Sequence, residues 1–372
     1  MDKKLRLGLR TWIEIDRGAI KNNYKIFRSL ISPQTKMMGV VKSNAYGHNL
    51  IEFARELEKL GIDYLAVDSV TEGLTLRKEG IKSPILIMGY TLPEMIIKVV
   101  ENNLEITVSN FDYFREIKKL NLKKKVKIHI KIDTGMHRHG FQEEDIVKVL
   151  EELKKARKII EVIYLYTHFA SAKNPAQTKE TEKQIKIFNK WREAFEKAGI
   201  KPLCHTCATS GTILFSQAHF DLVRIGIGLY GLWPSTKIRS FYKNKLKLQP
   251  VLTWKAVIGE INKVKAGERI GYDFTKKLAR NSKVAIIPIG YWHGYPRALS
   301  NKGQVLIRGK IAKVLGRVCM DIMMIDVTDI KNVKVRDEVI IALDEKKERM
   351  KTSPYELATR INPLIKRIYL DK

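Results

Sequence analysis

The 372 residues carry 69 lysines and arginines against 40 aspartates and glutamates, a net charge of +29, and 44% of them are hydrophobic. That is enough apolar material for a sizeable core, and the length fits two domains or one large barrel with an appendage. No apolar run reaches the ~18 residues a membrane span requires, and the N-terminal stretch MDKKLRLGLRTWIEID lacks the core of a signal peptide, so a cytoplasmic protein with no membrane partner is expected. The charge raises nucleic acid as a partner, but lysines in runs such as LKKKVKI and EKKERMK alternate with glutamates elsewhere, and no helix-turn-helix, zinc-finger or RNA-binding motif accompanies them. A solvated basic surface and no nucleic-acid partner are expected. Three cysteines, Cys204, Cys207 and Cys319, cannot make a disulfide framework, and CHTC lacks the second pair a zinc site would want, so no metal is expected.

In chain order, MMGVV (37–41) reads as a buried strand. A helix follows, with Leu50, Phe53, Ala54, Leu57 and Leu60 at three- and four-residue spacing and Gly61 ending it. YLAV (64–67) is the next strand, and TEGLTLRKEG a short helix stopped by Gly80. Strands then fit ILIM (85–88), EITV (105–108), VKIHIKI (126–132), VIYLYT (162–167), PLCHT (202–206) and LVRI (222–225), with helical stretches between them, the longest from about Thr178 to Lys197. Eight such alternating units predict a (β/α)8 barrel over residues 11–245, with an open doubly wound sheet as the other arrangement of the same pattern. From Leu246 the rhythm turns to strands broken by glycines and charges, with one helix capped by Ser353, Pro354 and Glu356. This predicts a second, β-rich domain over 246–372, which residues 1–10 could join.

A barrel carries its chemistry at the C-terminal ends of its strands. Lys42 follows the first strand, DTGMHRHG (133–140) the fifth, HFA (168–170) the sixth, ATSG (208–211) the seventh, and RIGIGLYG (224–231) closes the eighth. GIGLYG matches a dinucleotide fingerprint, yet Trp233 and Pro234 follow it in place of a helix, and the expected acid near 245–255 is absent. Its glycines serve better as backbone donors, with the Ser210 hydroxyl, at the usual phosphate seat after the seventh and eighth strands. A lysine across the rim from a phosphate seat suggests a phosphorylated aldehyde bound covalently, and pyridoxal phosphate is the obvious candidate.

VVKSNAYGHN (40–49) resembles the cofactor-lysine motif of the alanine racemases, pyridoxal enzymes of fold type III. KIDTGMHRHG, THFASA, VRIGIGLYG, IPIGYWHGYPR, GRVCMDIMMIDVT and SPYELATRI resemble further motifs of that family in the same order, over nearly the whole chain. The resemblance implies a barrel plus a β domain, pyridoxal 5'-phosphate, and a homodimer in which the partner's β domain completes each site. It implies that Lys42 bonds the cofactor and that Tyr46, Ser210, Gly226, Ile227 and Tyr355 surround its phosphate. His168 and Arg224 would flank the pyridine ring, and Arg138 would take the substrate carboxylate, steadied by Lys131 in carbamylated form. Tyr272 would be the second catalytic base, and Met320 with Asp321 would supply substrate contact from the other subunit. Tyr291 and Arg297 would line the entrance.

Three positions depart from the family pattern. Thr209 stands where asparagine is usual, GYDFT replaces a commoner S-Y-G-x-T around Tyr272, and His293 stands where aspartate is common. The activity implied is exchange of L-alanine and D-alanine by two bases, Lys42 and Tyr272, acting on opposite faces of Cα and supplying D-alanine for peptidoglycan. A serine or broad-specificity racemase of the same fold would share these motifs. A non-catalytic pyridoxal-phosphate-binding barrel would lack the β domain that carries Tyr272 and Met320.

Overall fold

The computed structural model describes residues 6–341 and 353–371. The run EKKERMK (345–351) therefore lies outside the described residues, as do residues 1–5. The chain divides into two compact units, residues 19–45 with 50–249, and residues 1–18, 46–49 and 250–372.

Residues 11–18 stand outside the barrel expected over 11–245: the first strand, β1 (Thr11–Asp16), belongs to the other unit. It pairs antiparallel with β10 (Leu252–Val257) and parallel with β19 (Arg367–Leu370), so its backbone bonds are made there.

The barrel strands are β2 (Lys36–Val40), β3 (Tyr64–Val67), β4 (Ile85–Ile87), β5 (Glu105–Val108), β6 (Val126–Lys131), β7 (Ile160–Tyr166), β8 (Leu203–His205) and β9 (Leu222–Ile225). They run parallel in the order β8-β7-β6-β5-β4-β3-β2-β9, and a bridge between Ala208 and Arg224 brings the two ends together. The eight expected alternating units are thus present, and the open doubly wound alternative is not. Helices cover the outside and side chains fill the inside, so both faces are buried and the strands read as near-continuous apolar runs. β3, β4, β5 and β9 are buried at every position. Between β6 and β7 the register slips by one at Ile128 and His129, a bulge that leaves Ile163 as the extra residue. Outside, Thr181, Gln184, Phe188, Trp191 and Phe195 form the buried stripe of the helix Lys179–Lys197 at helical spacing.

The second unit holds a nine-stranded sheet and a two-stranded ribbon. Its remaining strands are β11 (Glu260–Val264), β12 (Arg269–Ile270), β13 (Lys276–Lys277), β14 (Ser282–Ile287), β15 (Gln304–Ile307), β16 (Lys310–Leu315), β17 (Met323–Asp326) and β18 (Glu338–Ile341). The expected helix near the end spans Pro354–Thr359, and the Ser353 hydroxyl accepts the Glu356 N–H.

Candidate functional site

β2 ends in a conformation the sequence did not announce. Ser43, Asn44, Ala45 and Tyr46 have φ of 57°, 55°, 50° and 50°, a left-handed turn built without a glycine. Each such residue costs about 1–2 kcal/mol, and strain of this kind is characteristic of functional sites. Lys42, immediately before the turn, places its ammonium 2.8 Å from Oδ1 of Asp68 at the end of β3.

Opposite on the same rim, Lys131, Asp133, Arg138, His139, Thr167 and His168 line a small cavity. Asp133 organises the loop that carries Arg138: its carboxylate accepts the N–H groups of Gly135, Met136, His137 and Arg138 at 2.8–3.1 Å. Lys131 is buried among cations. Burial first, then Arg138 and Arg224, hold its pKa down to about 7, with a smaller contribution from Lys42.

Arg224, on β9, is buried to 1% exposure and spends its donors on a ring of fixed acceptors. Nη2 donates to the carbonyls of Thr167 and Thr206, both at 2.9 Å, and lies 3.3 Å from Nδ1 of His168. Nη1 donates to the His205 carbonyl at 3.2 Å and to Nδ1 of His205 at 2.5 Å. Burial lowers the guanidinium to about 10, which leaves it charged at neutral pH. Its Nε is buried with no hydrogen-bond partner among the described residues.

Because the guanidinium can only donate, it dictates the protons of a chain running through the barrel. His205 accepts at Nδ1, so its proton sits on Nε2, 3.0 Å from Nδ1 of His129. His129 in turn carries its proton on Nε2 and donates to Oε2 of Glu105 at 2.7 Å. Burial pushes both imidazoles below their ordinary values, in His205 with help from Arg224 and in His129 against the opposing pull of Glu105. His168 is likewise held well below the usual histidine range by burial and then by Arg224. None of Glu105, His129 or His205 was singled out from sequence. The available signal was a glutamate or histidine next to apolar residues in a strand segment, in EITV, KIHIK and LCH.

Ser210 lies in the first turn of the short helix Thr209–Leu214 after β8, buried. The first intrahelical bond there is the Thr212 N–H to the Ala208 carbonyl, so the N–H groups of Ser210 and Gly211 precede it. Gly226 and Ile227 follow β9 directly, both buried. Thr209, in the position of the usual asparagine, accepts the N–H groups of Gly226 at 3.2 Å and Gly228 at 3.4 Å through its hydroxyl. It ties the two loops to each other. Lys42, Lys131, Arg138, His168, Ser210, Arg224, Gly226 and Ile227 thus all lie at the strand C-termini of one unit.

The other predicted site residues lie in the β unit. Tyr46 and Tyr355 pack with ring centroids 6.1 Å apart, and burial, then Tyr46, raises the Tyr355 phenol. Tyr272 stands 69% exposed in a turn after β12, where Asp273 (φ 56°) pairs with Arg317 at 2.7 Å. Met320 is 56% exposed, and its carbonyl accepts the Trp292 N–H at 3.0 Å. Tyr291 and Trp292 are exposed beside it, but His293 turns inward: its Nδ1 accepts the Gly290 N–H at 3.2 Å and caps its own turn.

Comparison with known proteins covers both units. Residues 15–234 match the family described as alanine racemase, N-terminal domain, and residues 251–369 match alanine racemase, C-terminal domain. An alanine racemase of Methanococcus maripaludis is 40% identical over 96% of this chain and 98% of its own length. Alanine racemase 2 of Bacillus subtilis is 37% identical, covering 98% and 96%. Among solved structures, the alanine racemase of Clostridium difficile 630 superposes with a TM-score of 0.92 at 32% identity, over 98% of this chain and 97% of that one. The alanine racemase of Bacillus anthracis with bound L-Ala-P gives 0.91 at 33% identity, over 97% and 95%.

Proposed function

The chain belongs to the alanine racemase family, and on that premise we propose that it exchanges L-alanine and D-alanine with pyridoxal 5'-phosphate as cofactor. The observation that carries this reading is the barrel rim: Lys42 at one strand end, and at another a fully buried Arg224 whose Nε wants an acceptor. A pyridine nitrogen is an acceptor of that kind, and the N–H groups of Ser210 and of Ile227, whose neighbours Gly226 and Gly228 donate to Thr209, suit a phosphate. When bound, the cofactor draws electron density from Cα of an attached amino acid and so acidifies the Cα proton.

The chain's own groups do the rest. Arg138 holds the substrate carboxylate, a planar fork against a planar anion, on a loop kept in shape by Asp133. Lys42, as free amine, exchanges the proton at one face of Cα. Tyr272 of a second copy exchanges it at the opposite face through its hydroxyl. Arg224 can donate to the ring nitrogen but cannot give it a proton at neutral pH, which discourages reprotonation anywhere but Cα. Lys131, neutral above about pH 7, has the free amine that carbon dioxide needs to form a carbamate, and this would set a negative charge beside Arg138. Tyr46 and Tyr355 are proposed as phosphate ligands on the resemblance of their motifs alone.

The homodimer is supported by the exposure of Tyr272, Met320 and Trp292 on the β unit, aromatic and thioether groups that a partner would bury. We assign the enzyme to the cytoplasm and to supply of D-alanine for peptidoglycan. Among the described residues no helix is long and apolar enough to cross a membrane. Purified protein given pyridoxal phosphate should form D-alanine from L-alanine and the reverse, read by D-amino-acid oxidase. Cofactor-loaded protein that turns over serine as well as alanine would favour the broad-specificity alternative, and one that makes no D-alanine would end the proposal.

A further inference from the structure

The left-handed turn after Lys42 is held by a side chain that has no part in the chemistry above. Oε1 of Glu72 accepts the N–H of Ser43 at 2.7 Å and that of Asn44 at 3.3 Å. Its other oxygen, Oε2, accepts the N–H of Asp68 at 2.9 Å. One carboxylate therefore joins the backbone that follows Lys42 to the backbone of Asp68, whose own side chain holds the Lys42 ammonium at 2.8 Å. A second tie runs from Oδ1 of Asn44 to the N–H of Leu50 at 2.9 Å. Non-glycine residues do not stay left-handed in sequence unless their surroundings over-determine it. A carboxylate is well suited to the task, because its bonds to N–H groups are stronger than those of a neutral carbonyl and it can serve several donors at once.

We propose that Glu72 is a positioning residue for Lys42: by clamping the strained turn to the end of β3 it fixes where the lysine side chain leaves the barrel strand. The functional half of this rests on the reading of Lys42 as the cofactor lysine. Glu72 also has an ordinary duty in the first turn of the helix Val70–Lys78, where Ser69 accepts its N–H at 3.2 Å. That duty can be separated from the clamp, since Ser69→Ala weakens the helix start and leaves the carboxylate in place.

Three variants decide the matter: Glu72→Ala, Glu72→Gln, which keeps a single neutral acceptor, and Ser69→Ala. Amide exchange at Ser43 and Asn44 is followed in cofactor-free protein. The rate of pyridoxal phosphate attachment at Lys42 is then measured by borohydride reduction and peptide mapping. Exchange should quicken at least about tenfold in Glu72→Ala and attachment should slow by a similar factor, with Glu72→Gln between it and the parent. Ser69→Ala should lower the melting temperature and change neither rate. Unchanged exchange in both Glu72 variants, or faster exchange with attachment at the parent rate, overturns the proposal; if Glu72→Ala does not fold, Glu72→Gln carries the same two readings. Pyridoxyl label on a lysine other than Lys42 in the parent protein would strike the reading of Lys42 itself, while the exchange rates still test the clamp.

Discussion

Arg224 shows how much a single buried side chain can be asked to hold. Its two terminal nitrogens serve the carbonyls of Thr167, Thr206 and His205 and a ring nitrogen of His205, and a lysine has one nitrogen to offer all of them. Arg224→Lys should therefore leave buried acceptors unserved, each worth about 1–3 kcal/mol, and lower the urea midpoint of cofactor-free protein by at least about 2 kcal/mol equivalent. An unchanged midpoint would show that the ring of acceptors is not strained by its loss. Lys131 permits a test by pH. Its pKa of about 7 means that acidification below 7 returns the proton and removes the free amine, while alkalinisation exposes it. With carbon-13 bicarbonate, a carbamate resonance should appear at pH 8, vanish at pH 6 and be absent from Lys131→Ala. A resonance of equal size at both pH values would count against Lys131 as its source.

At the scale of elements, residues just past a strand were easier to read than residues within one. Lys42 and His168 stand out in the sequence because each follows an apolar run, and Arg224 because it opens the glycine-rich stretch RIGIGLYG. Glu105, His129 and His205 lie within strands, the first opening β5 and the last closing β8, and a barrel strand buried on both faces gives no alternation to tell the inward side from the outward one. The left-handed turn at 43–46 was illegible for another reason: it contains no glycine, and its cause is Glu72, almost thirty residues later. Residues 11–16 fall inside the expected barrel range of 11–245, and no strand is legible there because its partners lie far along the chain. Close packing between elements also makes a prediction. A Cβ on Gly228 would lie 2.3 Å from the Phe27 ring and 2.9 Å from the Thr209 methyl, contacts with a fully buried aromatic and with the residue that ties the two loops. Gly228→Ala should cost about 1–3 kcal/mol by chemical denaturation and weaken cofactor retention. A variant as stable as its parent would mean that Phe27 has room to turn.

For the whole molecule the decisive question is how many copies make a site. Lys42 lies in one unit and Tyr272 in the other. Lys42→Ala and Tyr272→Phe should each be inactive alone. If each site draws Tyr272 from a partner, a one-to-one mixture brought to complete subunit exchange contains mixed dimers with one intact site. Activity should then return to about a quarter of the parent value. Exchange proved by mass spectrometry without any recovery would mean that both bases come from the same copy.

The path of the chain has one more consequence, which concerns synthesis. Every barrel strand has been made once the ribosome passes residue 225, but β1, only six residues long and made first, needs β10 and β19 as neighbours. At about 5–20 residues per second, the interval between completion of the barrel unit at residue 249 and arrival of β19 at 370 is on the order of ten seconds. Throughout it TWIEID, with Trp12, Ile13 and Ile15 destined for burial, has one of its two edges open. Nascent chains stalled between residues 249 and 367 should therefore recruit chaperones through this N-terminal strand, and chains released with β19 in place should not.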